Sequence, residues 1–111
     1  MENPATARWG VRISSKDFAK LRRGFVPEMM EQRWRCFADD PDPQGFTAIH
    51  ITRSWTGRKV ITLKVKDDVS GAEITEITWD RGGRRDPVTE DQAKEQATNF
   101  CKNFMRCEWS A

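Results

Sequence analysis

The residues best suited to chemistry sit in one stretch, Arg53-Ser54-Trp55-Thr56-Gly57-Arg58. Arg53 and Arg58 supply guanidinium forks that match carboxylate or phosphate oxygens. Trp55 supplies a ring on which a base or another ring can stack, and a cation is attracted to such a face. Ser54 and Thr56 add neutral hydrogen-bond donors. Together they suit an anionic, ring-bearing ligand or the acidic surface of a partner protein. Trp34 and Arg35 are expected to extend this surface if their strand pairs with the one bearing Trp55.

His50 is the chain's single histidine. A metal site needs several ligands, so one histidine is a poor start. As a general base it would need a nucleophile or a carboxylate within reach. Thr52 and Ser54 share its strand face but lie about 7 Å or more along it. An enzyme, a small hydrolase using His50, is therefore the alternative to a non-catalytic binding module. No catalytic residue is assigned, and no metal or cofactor is expected. A second alternative is binding of single-stranded nucleic acid. Arg81, Arg84 and Arg85 around Gly82-Gly83, with Lys64 and Lys66, are basic enough to suggest it, and aromatic platforms flanked by basic residues hold single strands. Glu73 and Glu76 are expected to interrupt that basic surface, which makes it the weaker reading.

Composition sets the frame. The chain has 111 residues, 32% charged and 37% apolar, with a formal net charge of +2. That length suits one domain. Five Trp and six Phe compensate for the modest apolar share, since each aromatic buries on the order of 150–250 Å². The near balance of charge neither demands nor excludes nucleic acid. The three cysteines, Cys36, Cys101 and Cys107, form no Cys-x-x-Cys pair, so free thiols are expected rather than a disulfide framework or a zinc site. Cys101 and Cys107 fall on a predicted helix, about 9 Å apart along its axis at roughly 1.5 Å per residue, too far for an easy bridge. No signal peptide or membrane span is visible, and a cytoplasmic or nuclear location is expected. Partners without a membrane follow, and a homodimer is compatible with the sequence.

The elements that must position these residues are legible from local signals. Residues 1–7 read as a flexible tail and residues 8–111 as one α+β domain. Trp9 to Ile13 reads as a short extended segment. Ser14 or Ser15 caps a helix carrying Asp17 in its first turn and Phe18 and Leu21 on one face. Gly24 and Pro27 end that helix. Strands are predicted over residues 33–38, 46–55, 59–66 and 72–79. Asp39 to Gly45 forms the first connecting loop, and Thr56-Gly57 is a tight turn. Ile61, Leu63 and Val65 face a core, with Thr62, Lys64 and Lys66 facing water. Ile74 and Ile77 break strict alternation, which predicts a bulge or an edge position. Thr89-Glu90-Asp91-Gln92 is a capping box opening a helix to about Arg106. The predicted architecture is a four-stranded antiparallel sheet with one helix before and one after, both packed on one face.

The middle of the chain also resembles a group of small, uncharacterised microbial proteins. The likeness is carried by Asp17-Phe18, Gly24-Phe25-Val26-Pro27, Met30-Glu31-Gln32-Arg33-Trp34, His50 and Arg53-Ser54-Trp55-Thr56-Gly57. The Trp34 segment followed by the Arg-Ser-Trp-Thr-Gly hairpin is its most specific part. The resemblance implies a shared compact fold and intracellular life, and it implies no catalytic assignment.

Overall fold

The computed structural model describes residues 4–25, 34–53, 59–68, 71–81, 88–103 and 107. They form β1 (Pro4–Ile13), α1 (Ser15–Arg23), β2 (Trp34–Ala38), β3 (Phe46–Arg53), β4 (Lys59–Asp68), β5 (Gly71–Asp80) and α2 (Glu90–Asn103). The strands make one antiparallel sheet in the order β1-β5-β4-β3-β2.

The predicted four-strand sheet is thus corrected to five strands. A strand precedes the first helix, so α1 links β1 and β2 at opposite edges of the sheet instead of opening the fold. The tail expected over residues 1–7 is shortened, because Pro4 to Ala7 belong to β1. Their ladder is non-local: Thr6 stands opposite Thr78, and the two hydroxyls are 2.8 Å apart. In Pro-Ala-Thr-Ala only Thr6 favours a strand, so the partner strand decides the conformation. Pro4 is tolerated because β1 is an edge strand.

The local signals hold well. Ser14 is the α1 N-cap, its Oγ accepting from the Asp17 amide at 3.0 Å. Gly24 ends the helix at a φ of 81°, where a Cβ would lie 2.5 Å from the Cys36 carbonyl oxygen. That close approach lets Phe25 pair with Cys36 through two backbone bonds of 2.9 Å and cover the outer edge of β2. The capping box of α2 is reciprocal. The Thr89 amide donates to Gln92 Oε1 at 3.0 Å, and the Gln92 amide donates to Thr89 Oγ1 at 3.2 Å. The broken alternation in β5 is a bulge in a central strand. Val65 pairs with Ile74 but Lys64 pairs with Glu76, which leaves Thr75 as the extra residue.

One core joins the elements. Ile49, Ile51, Ile61, Leu63, Val65, Ala72, Ile74, Ile77 and Trp79 point to it from the sheet, and Trp9, Val11 and Ile13 from β1. Phe18 and Leu21 of α1 and Ala93, Ala97, Phe100 and Cys101 of α2 close it. Trp79 also fastens the approach to α2, its Nε1 donating to the Val88 carbonyl at 2.8 Å.

The cysteine geometry corrects a second expectation. As described, α2 ends at Asn103, and Cys107 lies outside it. The Cys107 amide donates to the Cys101 carbonyl at 3.0 Å, closer than six residues of regular helix would bring them. The helical spacing assumed for Cys101 and Cys107 therefore does not apply.

Candidate functional site

The pairing of β2 with β3 decides which candidate residues meet. Trp34 stands directly opposite Arg53. The Arg53 guanidinium carbon lies 4.3 Å from the centre of the Trp34 ring. Trp34 in turn meets Phe100 of α2 edge-to-face at 6.1 Å. The exposed face of Trp34 is thus already occupied by Arg53 and does not serve as an open stacking platform. It acts instead as a shelf that orients a guanidinium at the edge of the sheet, at the end of β3 where Arg53 remains exposed.

Beside this pair runs a groove of about 360 Å³ between α2 and the sheet. Trp34, Ile51, Ile61 and Phe100 form its apolar part. Gln92, Glu95, Gln96, Asn99 and Asn103 line it from the helix. The helix residues follow from periodicity: steps of three and four along α2 bring Gln92, Gln96, Asn99 and Asn103 to one side. A carboxamide carries both a donor and acceptor sites, so this wall can pair with either kind of group on a ligand. Sequence reasoning missed these four amides. The stripe was visible at helical spacing, but the adjoining apolar stripe had absorbed the reading of that helix.

Arg35 and His50 belong to the other face of the sheet. Arg35 alternates away from Trp34 and lies 5.8 Å over the Phe37 ring. His50 stands opposite Phe37 on one side and Thr62 on the other. Its Nε2 is 2.7 Å from Asp39 Oδ2, its Nδ1 is 3.0 Å from Thr62 Oγ1, and its ring lies 5.0 Å from that of Phe37. Asp39 and Thr62 were not foreseen as its partners. Counting outward from a two-residue turn at Thr56-Gly57 would place His50 opposite Leu63. The observed ladder pairs Thr52 with Lys59, which continued unshifted would place His50 opposite Ile61. The register irregularity between Ile51 and Thr52 moves its partner to Thr62. The expectation that Arg35 extends the surface with Trp34 is corrected accordingly: strand alternation sends Arg35 and His50 to one face, Trp34 and Arg53 to the other. Ser54, Trp55, Thr56 and Arg58 lie outside the described residues.

The open face carries charge in compensating rows. Arg8, Glu76 and Lys64 stand in register across β1, β5 and β4, and so do Arg12, Glu73 and Lys66. Lys64 and Lys66 both approach the Phe46 ring, at 4.4 and 5.3 Å. Asp42 serves its turn, with Oδ1 accepting from the Gln44 and Phe46 amides at 2.9 Å. Among the described residues no group of His, Cys, Asp and Glu has the arrangement of a metal site. No helix among the described residues is long and apolar enough to cross a membrane. No protein-family model, curated protein or solved structure matches the chain.

Proposed function

We propose that the domain is a non-catalytic binding module whose ligand is anionic and carries a flat or apolar body. The carrying observation is the Arg53 guanidinium held 4.3 Å over Trp34, beside a groove of about 360 Å³ that Trp34 itself lines. The cation orients a carboxylate or phosphate, the apolar floor takes the body, and the α2 amides select its hydrogen-bonding edge. Stacking on Trp34 limits the conformations Arg53 must give up on binding, which preserves affinity. A concave apolar surface with a few placed polar groups is the usual form of a small-ligand site. The acidic surface of a partner protein would present the same carboxylate to Arg53 from a side chain.

The enzymatic reading has less in its favour. Asp39 and Thr62 do give His50 a carboxylate and a hydroxyl. Yet His50 is only 5% exposed, and both ring nitrogens are engaged. The neighbouring depression, about 280 Å³, is lined by Asp39 and Thr62 and carries further acids in Asp40, Asp42 and Glu76 against a single cation, Lys64. An oxyanion forming there would meet negative charge, the reverse of what acyl transfer needs. Nucleic-acid binding is disfavoured by the alternating rows, which leave no continuous basic track among the described residues; Arg84 and Arg85 lie outside them.

The test is a titration of the full chain with a panel of aromatic carboxylates and nucleoside monophosphates, read by tryptophan fluorescence and by backbone NMR shifts. A binder should shift resonances of Trp34, Gln96 and Asn99. Arg53→Ala should weaken that binder by roughly 10- to 100-fold, the loss expected for a hydrogen bond to a charged group, with its thermal midpoint nearly unchanged. Shifts confined to the His50 face, or affinity unaltered in Arg53→Ala, would refute the assignment.

A further inference from the structure

Three thiols from three parts of the chain converge behind α2. Cys36 comes from β2, Cys101 from the last turn of α2, and Cys107 lies four residues past its described end; all three are buried and free. Cys107 is closest to Cys101. Its amide bonds the Cys101 carbonyl at 3.0 Å, and its thiol lies 4.0 Å from the Asp17 carbonyl oxygen. The backbone bond limits how far apart the residues can be. Adding the roughly 2.4 Å from Cys101 Cα to its own oxygen and the roughly 1.46 Å from Cys107 nitrogen to its Cα to that 3.0 Å bond gives at most about 6.9 Å along a straight path. Any bend shortens it into the usual disulfide range of about 4.4–6.8 Å.

We propose that Cys101 and Cys107 form an oxidation-sensitive dithiol, which hydrogen peroxide converts to a disulfide tying the end of α2 to the segment beyond it. The Cys107 thiolate attacks peroxide, breaking the O–O bond and giving a sulfenic acid and hydroxide. The Cys101 sulfur then attacks the sulfenic sulfur, forming the S–S bond, and its proton leaves with the hydroxyl as water. Two electrons pass from the sulfurs to peroxide.

The environment assigns the roles. Hydrogen bonding with the Cys101 thiol lowers the pKa of Cys107, against opposing pushes from burial and from the Asp17 carboxylate, and Lys20 adds a smaller favourable charge. The same hydrogen bond, together with burial, raises Cys101, which therefore keeps its proton until it resolves the sulfenic acid. Burial pushes Cys36 up to about 12, which holds it as an inert thiol. Enclosure of all three sulfurs selects a small oxidant: peroxide can enter where a bulky disulfide such as oxidised glutathione cannot. Phe100 and Asn103, on either side of Cys101 in sequence, both line the groove; the dithiol nevertheless stands whether or not that groove takes a ligand.

Peptide mapping of the full chain tests it. Reduced protein is treated with peroxide, remaining thiols are blocked with N-ethylmaleimide, and the product is digested with trypsin without reduction. Trypsin cuts after Lys94, Lys102 and Arg106, so Cys101 and Cys107 leave on separate peptides that only a disulfide can hold together. The expected result is a chain lighter by two hydrogens, one blocked thiol at Cys36, and the linked pair Glu95 to Lys102 with Cys107 to Ala111, all reversed by dithiothreitol. Oxidised glutathione should produce the link at least tenfold more slowly. Cys107→Ser should leave Cys101 reduced under the same treatment, and if that variant does not fold, the map of the unaltered chain decides. A link through Cys36, dimers joined between chains, sulfinic acid at Cys107 with Cys101 still a thiol, or no reaction at all would each overturn the proposal.

Discussion

The two faces of the sheet use alternate residues of the same strands but hold them by different means. On the helix-covered face, Ile49, Leu63, Val65, Ile74 and Ile77 are fully buried, and their order comes from close packing under α1 and α2. On the open face, Thr6, Thr78, Thr62, His50 and Phe37 form one row across all five strands, each opposite the next. Hydrogen bonds and cross-strand pairs do the work there. His50 is the point where the two regimes meet, being buried like a core residue yet joined through polar atoms. The difference shows why one sheet can carry a stable core and still leave Arg53 and the groove at its rim exposed.

The contrast is most easily broken at Leu63. Leu63→Ala should cost about 2–5 kcal/mol, since it leaves a cavity under the helices, and urea denaturation would measure it. A loss under 1 kcal/mol would mean the helices pack loosely on the sheet.

Alkaline pH probes the same face through Cys36, whose pKa rises from 9.0 to about 12 on burial. The unfolded chain ionises this thiol first, so its contribution is intact below pH 9 and is lost as pH climbs towards 12. Stability should therefore fall between these limits, and Cys36→Ala should fall less steeply. Parallel slopes in urea melts at pH 8 and pH 10.5 would show that the thiol does not titrate differently in the two states.

His50→Ala should cost less, about 1–2 kcal/mol, by removing two hydrogen bonds and a ring contact while exposed Asp39 regains water. Thermal melts would report it, and a loss as large as that of Leu63→Ala would make the open face a second core. Lys64→Ala should change stability by no more than about 0.5 kcal/mol, because half-buried Lys64 and Glu76 face each other on the open side of the sheet, where charge pairs are weak and screened. A larger change, especially one abolished by salt, would show that the charged rows act as a network.

Sequence alone determined whatever depends on neighbours a few residues apart. The Ser14 cap, the Gly24 stop, the Thr89-Gln92 box and the alternation of Ile61, Leu63 and Val65 each rest on contacts within one turn or on strand periodicity. So does the division of Trp34 from Arg35, implicit in alternation once the strand is placed. The tertiary structure decided what depends on residues far apart. β1 is a strand because β5 offers it a ladder some seventy positions away. His50 meets Asp39 and Thr62 because a register irregularity, invisible in composition, fixes which residues stand opposite. Trp34 became a shelf for Arg53 once β2 paired with β3. The Cys107 amide meets the Cys101 carbonyl at 3.0 Å, where regular helical spacing would have kept the two residues farther apart.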